Sequence, residues 1–513
     1  MTHQYGAPCM ESSKKKRLIG LMLLSMSTFV VCAPAAFTQI ISLNLMIDLN
    51  SFPEKDFTWV FPIFVAGECS SMGLCACILD RYGRAVPYLI GAVLFMISTV
   101  ICAVAQDMTT FNILRFVQGF GAGIIIVACI AQIYFDVEDK KDRYMANGIM
   151  SLGFGTGMLF GIFAGPAVVD TLGWRTAFWS FVVLLAILAY PSYQVLRNGK
   201  RSDMRADAPG AIILTIWAAC FVLFLQKIYN DWSLDDTVGH MGVVFLIMLF
   251  LLYLAVEVIN PNSVFHRKVD NGRLVAVSIV FIVLLGVIDM AAVGFMVKTA
   301  LFIYQMSVAE AAPFFLVMIG GAAITAISIS HFIDRTGHTP WLILSVVLSP
   351  IALMSMHIVK VDDPSYMFAF HLFLLGLAIG CLVSMLNATI QNRTTEHNNG
   401  AIMSFAIMIR TAALWLGYNF YQTIADLVMV KELGSVIDHW NSILHIELPA
   451  DCNLANLLIT PLSDALKLLP GLTHDIAAVF AEGVAVGFTY GAVVIVAIGF
   501  PVALLLVGRS KTL

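Results

Sequence analysis

The stretch Ala76-Cys77-Ile78-Leu79-Asp80-Arg81-Tyr82-Gly83-Arg84 decides how the chain is read. It closes an apolar run of membrane length that opens at Thr58-Trp59, and a further apolar run begins at Val86. A hairpin between two spanning helices needs little more than charge to stop the span and a glycine for the tight turn. The pattern returns far downstream as Ile333-Asp334-Arg335-Thr336-Gly337-His338, again between two apolar runs. Two such turns in equivalent settings predict an internally repeated membrane bundle.

The composition agrees. Of 513 residues, 59% are hydrophobic and 12% charged, with a mean hydropathy of +0.88. Soluble domains carry roughly 25% charge. The net charge of −4 gives no electrostatic reason for a nucleic-acid partner. The first apolar run, from Leu18, exceeds a cleavable signal's core of roughly 7–15 residues and reads as the first span. Most of the 10 cysteines fall inside apolar runs and read as small buried residues. Cys75 and Cys77 lie on different faces of a helix, so no metal site is expected there, and no cofactor is implied. Neither a G-x-x-x-x-G-K-[ST] loop nor a catalytic cluster is present, so neither ATP-driven transport nor enzymatic activity is expected.

A spanning helix needs about 20 apolar residues to cross a core of about 30 Å. Spans fall near 18–41, 58–79, 86–105, 109–134, 145–168, 176–196, 209–227, 239–259, 273–297, 310–332, 341–359, 366–390, 400–427 and 484–508. Charge asymmetry tests this count of fourteen. With the N-terminus inside, the inner segments hold 20 of the 29 Lys and Arg, including Lys14, Arg81, Arg84, Lys141, Arg143, Arg205, Arg335, Arg393 and Arg509. Lys55, Arg175, Lys227, Lys298, Lys360, Lys431 and Lys467 lie outside or at the outer edge, and Arg115 and Arg410 lie within spans. A miscounted helix would invert every later loop and destroy the bias. Both termini are therefore expected on the cytoplasmic side of a cell membrane.

The sequence resembles the major facilitator superfamily and, within it, the fourteen-helix drug:proton antiporters. Asp80-Arg81-Tyr82-Gly83-Arg84 matches the superfamily's loop signature after the second span, with Ala76 where that signature opens on glycine. Asp334-Arg335-Thr336-Gly337 is its weaker second copy. Leu114-Arg115-Phe116-Val117-Gln118-Gly119 resembles the R-x-x-Q-G signature of the fourth span. Gly153, Gly155, Gly157, Gly161, Gly165 and Pro166 resemble the antiporter signature of the fifth, without its closing glycine pair. Tyr304-Gln305 and the long outer segment before the last span are similar to the fourteen-helix branch.

The resemblance implies two six-helix bundles, 18–196 and 260–508, the second including an outer loop at 428–483. Between them lies a basic linker with two additional helices, 197–259, and the tails are 1–17 and 509–513. It implies alternating-access transport of a small-molecule substrate across the lipid bilayer, with protons as the coupling ion and a periplasmic adaptor as candidate partner. Asp80, Arg81, Gly83, Arg84, Asp334, Arg335 and Gly337 would latch the halves at the cytoplasmic face.

Read without the family, the same residues carry chemistry. Glycines four apart on the fifth span clear one face for a neighbouring helix, and Pro166 bends it. That suits either a sliding seam or plain tight packing. A central Arg costs at least ~2.5–3.5 kcal/mol on insertion scales, so Arg115 must face the interior or a wet cavity. It either tunes a nearby carboxyl group or serves a structural ion pair. Glu68 and Asp289 sit mid-span, and buried carboxyls are natural proton carriers, or else neutral structural acids. Arg410 would bind an anionic group or pair with Asp289. One departure stands out: Val30-Val31-Cys32-Ala33-Pro34 lacks the acid that the branch carries in its first helix. The expected activity is export of hydrophobic or amphipathic compounds. The rival is a carrier of one specific solute, such as a metabolite or siderophore, that is not driven by protons.

Overall fold

The structure is a computed structural model that describes residues 7–41, 45, 48–49, 59–197, 207–230, 237–261, 263, 269–356, 360–361, 363–444 and 470–507. Among these residues the chain is all-α. The helices are α1 Ala7–Ile40, α2 Val60–Tyr82, α3 Ala85–Val104, α4 Met108–Asp136, α5 Asp142–Leu172, α6 Trp174–Leu196, α7 Ala208–Asn230 and α8 Thr237–Ile259. Next, α9 comprises Gly272–Leu284, a π-helical stretch Leu285–Met290 and Ala291–Phe302. Then come α10 Val308–Thr336, α11 Thr339–Ser355, α12 Ser365–Arg393 and α13 Asn399–Leu444. The last, α14, comprises Pro470–Val494, a π stretch Ile495–Gly499 and Phe500–Val507.

Thirteen of these helices are long and apolar enough to cross a bilayer, and α11, with 17 residues, is the short fourteenth. At 1.5 Å per residue α11 is about 25 Å long, nearly the thickness of the hydrocarbon core. All fourteen expected spans are thus present as helices. Two ends differ from the expectation. Helix α13 runs 46 residues to Leu444 rather than stopping near 427, and α14 begins at Pro470 rather than near 484. Much of 428–483 is therefore helix continuing from the spans, and the segment 445–469 lies outside the described residues.

The turns follow from local chemistry. Gly83 and Gly337 close the two equivalent turns at φ 78° and 70°, a region that costs a side-chain-bearing residue strain. Asp107 caps α4 by accepting the Thr110 N–H at 2.7 Å, which also holds its carboxyl below the usual carboxylate range.

The chain forms two compact units. The first comprises 1–283, 325–338 and 382–412. In it α1 packs on α5, α2 on α4 and α7, and α3 on α4 and α6. A cluster of Phe37, Phe111, Trp174, Phe178 and Phe181 fills one end, its rings meeting edge-on at 5.8–6.1 Å. The additional pair α7–α8 leans on α2 through Thr215 against Gly73, and Tyr253 of α8 stacks on Phe405 of α13. The outer face of α8, with Val244, Phe245, Met248, Leu251 and Leu252 exposed, suits lipid rather than water. The second unit comprises 284–324, 339–381 and 413–513, in which α11 packs on α14. There the Lys298 ammonium donates to Gln422 Oε1, whose amide donates to Asp426 at 2.9 Å.

Candidate functional site

At the basic end of the first unit, the start of α13 presents backbone N–H groups that no earlier helical turn can bond. Asp80, near the end of α2, fills that need. Its Oδ1 accepts the Gly400 N–H at 2.8 Å and its Oδ2 the Ala401 N–H at 3.0 Å. The positive end of the α13 dipole adds to these charge-assisted bonds. A Cβ at Gly400 would stand 2.4 Å from Asp80 Oδ1, so only glycine lets the carboxylate in. Arg84 reaches Asp80 at 3.4 Å with its side chain fully buried, and its guanidinium lies 4.0 Å over the Phe135 ring.

A second set of contacts lies beside it. Arg143, at the head of α5, donates to Val137 O at 2.9 Å, Tyr134 O at 3.0 Å, Asn392 Oδ1 at 3.1 Å and Gln391 O at 3.4 Å. Asn147, one turn on, donates to Gln391 Oε1 at 2.7 Å. Lys141 pairs with Asp334 at 3.4 Å, and Tyr144 meets His338 at 3.2 Å. Burial, and then the Arg393 charge, pushes the His338 imidazole down to about 4. Arg81 and Arg335 stay exposed. The turn signatures thus split: Asp80, Gly83 and Arg84 lie inside the joint, Asp334 at its rim, and the arginines Arg81 and Arg335 outside it. Sequence reasoning missed Arg143, Asn147, Gln391 and Asn392. Their only signal was a polar cluster at each of two span ends, which the charge bias already accounted for.

Arg115 is fully buried and spends its donors on neutral oxygens: Val60 O at 3.3 Å, Gln118 Oε1 at 2.6 Å and Thr38 Oγ1 at 2.8 Å. Its guanidinium lies 4.4 Å over the Phe64 ring, and Gln118 donates onward to Thr99 at 2.7 Å. Arg115 therefore ties α1, α2, α3 and α4 together. Among the described residues its hydrogen-bond partners are these neutral oxygens and no carboxylate. Gly119 lets α4 approach α2, a Cβ there falling 2.0 Å from Phe64 O.

The α5 glycines face α1. A Cβ at Gly157 would lie 2.5 Å from Phe29 O, one at Gly161 2.2 Å from Ala33 O, and one at Gly165 3.0 Å from the Phe37 ring. Of the two readings, a sliding seam or plain tight packing, these contacts give α5 a close fit against α1 within the first unit. Helix α5 continues through Pro166, whose side chain lies outside the described set.

Glu68 of α2 is 93% buried, and its Oε1 has no hydrogen-bond partner. Arg410 of α13 is similarly buried and lies 5.8 Å from the Phe154 ring of α5. Asp289 lies in the π-helical stretch of α9, a feature frequent at functional sites. Its side chain, and with it the expected Asp289–Arg410 pair, lies outside the described residues. Among the described residues no cluster of His, Cys, Asp and Glu could hold a metal.

The sequence profile of the Major Facilitator Superfamily matches residues 18–418. The chain is 23% identical over 424 residues to Multidrug resistance protein 3 of Bacillus subtilis, covering 81% of this chain and 80% of that one. It is 22% identical over 427 residues to Riboflavin transporter RibZ of Clostridioides difficile, covering 80% and 88%. Among solved structures, the human organic anion transporter MFSD10 superposes with a TM-score of 0.60 at 12% identity, covering 95% of this chain and 99% of that one. The proton:xylose symporter XylE superposes at 0.53 and 13%, covering 96% of each. Fourteen apolar helices, two copies of one charged turn and a match over most of the length agree: this chain is a membrane transporter belonging to the major facilitator superfamily.

Proposed function

We propose that the protein exports hydrophobic or amphipathic compounds in exchange for protons, by alternating access, from a cell membrane in which both termini face the cytoplasm. The carrying observation is the Asp80 cap: both carboxylate oxygens of the α2 end hold the first N–H groups of α13. Such a joint is made of few bonds and breaks as a unit, as a gate must. Helix α2 also carries Glu68, twelve residues before Asp80, or about 18 Å along the same rod. A proton arriving at Glu68 and a gate at Asp80 thus share one rigid element. In this reading Glu68 takes a proton from outside and yields it inside, and substrate leaves in the opposite sense. Arg143, Asn147 and Gln391 secure the closed gate, while Arg115, Gln118 and Gly119 hold the N-terminal bundle rigid around it. Export rather than uptake follows the drug-resistance naming of relatives such as that of Bacillus subtilis.

The test uses proteoliposomes loaded with an amphipathic fluorescent dye and subjected to an imposed pH gradient. Dye movement should follow the gradient, collapse with an uncoupler, and lose its gradient dependence in Glu68→Gln. Uncoupler-insensitive transport would remove the proton claim. A second reading, a carrier for one solute, is favoured by the acid-free first helix and by the relative named as a riboflavin transporter. A thermal-shift screen that finds one protecting solute among many would support it.

A further inference from the structure

The additional pair α7–α8 contributes no residue to the Asp80 joint, yet it touches both helices that form it. The pair is a hairpin tied at three levels. At the basic end Asp207 Oδ1 caps α7 by accepting the Gly210 N–H at 3.0 Å, and also accepts an N–H of the Asn260 amide, at the end of α8, at 2.6 Å. Midway, the Trp217 and Phe250 rings meet at 5.4 Å. Toward the far end the Phe224 ring of α7 occupies the place that a side chain at Gly242 of α8 would take.

Each arm grips a different helix of the joint. Helix α7 lies main chain to main chain on α2, where a Cβ at Gly73 would stand 3.0 Å from the Thr215 amide nitrogen. Gly73 precedes Asp80 by seven residues, about two turns. Helix α8 reaches α13 instead. Its buried positions are Gly239, Leu246, Tyr253 and Glu257, a narrow stripe, while Leu251, Leu252, Val258 and Ile259 are exposed. From that stripe the Tyr253 ring, 1% exposed, stacks on Phe405 with centroids 6.5 Å apart and planes 24° from parallel. Phe405 follows Ala401 by four residues, so it stands one turn beyond the N–H that Asp80 holds.

Four helices therefore close a ring. Asp80 joins α2 to α13, Phe405 joins α13 to α8, the hairpin joins α8 to α7, and Gly73 joins α7 back to α2. A ring of stiff helices cannot open at one link alone, so a second link parts when Asp80 leaves Gly400 and Ala401. The hairpin is tied three times, and the α7–α2 link is backbone against backbone. The α8–α13 link is a pair of rings, which separate without stripping a backbone donor of its partner.

We propose that α7–α8 is a strap fixed to α2, and that Tyr253 and Phe405 are positioning residues that hold α13 in register for Asp80 and part when the joint opens. This rests on the reading of Asp80 as a gate and deepens it, giving the additional pair a part in the transport cycle.

The first test needs no substrate. The full chain in lipid nanodiscs carries Ser404→Cys, a buried position one turn from Gly400, and its maleimide labelling is compared with that of the buried native Cys102. Tyr253→Ala should speed labelling at position 404 by roughly threefold to tenfold, the change in equilibrium that an aromatic pair supports, and leave Cys102 alone. In a Phe405→Leu background the same substitution should have no further effect, because the stack is already gone. Tyr253→Phe, which keeps the ring, should restore the slow rate. An unchanged rate, equal acceleration at Cys102, or an undiminished effect in the Phe405→Leu background overturns the proposal. Where Tyr253→Ala fails to fold, Tyr253→Leu takes its place. Asp80→Asn separates the two readings. If it speeds labelling while the Tyr253 variants do not, the gate stands without a strap; if it too changes nothing, both fall.

Release is tested by tethering. Tyr253→Cys and Phe405→Cys joined by a bismaleimide should halt dye movement in proteoliposomes, whereas Trp217→Cys and Phe250→Cys, joined across the hairpin, should not. Undiminished movement with α8 tethered to α13 would mean that the stack never parts, which sinks the strap. If the unmodified chain moves no dye, the labelling result decides alone.

Discussion

At the scale of single residues, the chain spends its buried charge on joints. Asp80 is the clearest, since two charge-assisted bonds and a helix dipole converge on one carboxylate. Hydrogen bonds to charged groups are worth roughly 1.5–3 kcal/mol each, so Asp80→Asn should weaken the joint by about that amount. Gly400→Ala should copy the effect, because its new Cβ would fall on Asp80 Oδ1. Both should speed maleimide labelling of a cysteine placed at Ser404 by roughly tenfold at equal expression; unchanged labelling in both would deny Asp80 a gating role. His338 provides a pH test with a defined sign. Its imidazole titrates near 4 when buried, against 6.5 when free, because burial and then the Arg393 charge disfavour the cation. The opened form therefore binds more protons between pH 6.5 and 4. The joint should be indifferent to pH above 6.5 and should loosen progressively as pH falls from 6.5 toward 4. His338→Gln, still able to meet the Tyr144 hydroxyl, should flatten that dependence; a joint that tightens on acidification would contradict the assignment. Asp80 was legible in the sequence because an acid in a basic turn is an anomaly. Arg143 was not, because an Arg at an inner span end is what the charge bias expects.

At the scale of elements, glycine spacing on α5 was legible and its partner was not. Four-residue spacing reveals a smooth face, but only packing reveals which helix comes to it. That helix is α1, whose backbone at Phe29 and Ala33 lies so close that added side chains would overlap it. Gly155 sits on another face, with nothing within 4 Å of a Cβ. The two positions make a controlled comparison. Gly161→Ala must push α1 and α5 apart and should lower the thermal midpoint by several degrees, overpacking typically costing about 1–3 kcal/mol. Gly155→Ala adds a better helix former in open space and should leave the midpoint unchanged or raise it, by up to about 1 kcal/mol in stability. Equal effects at the two sites would mean that α1 does not rest on the glycine face. The same reasoning explains the misread outer segment. Residues beyond 427 turn polar, which marks the end of an apolar run but not the end of a helix, and α13 continues to Leu444.

At the scale of the whole molecule, the fold was legible because a bilayer leaves few choices. Every backbone polar group must be satisfied within the span, so apolar runs of about 20 residues become helices, and counting them gives the architecture. What counting leaves open is the sidedness of each loop, and the cysteine inventory makes that directly measurable. Of the eight described cysteines, seven are buried and Cys220 is half-buried, so an impermeant maleimide should find little background. Replacing Cys9 and Cys452, which lie outside the described side chains, by serine would complete a quiet chain. Lys141, between α4 and α5, and Lys431, on the exposed extension of α13, are then replaced one at a time by cysteine. An arrangement of fourteen spans puts an even number of crossings between the two termini and an odd number between these two positions. Nine crossings, α5 through α13, separate them. Lys141→Cys should therefore react only from the cytoplasmic side of right-side-out or inverted vesicles, and Lys431→Cys only from the other. Reaction of both from one face would mean that one helix, with the 17-residue α11 the first suspect, does not cross. The end of α2 and the start of α13 would then lie on opposite faces, and the Asp80 joint, which needs both on one face, could not form.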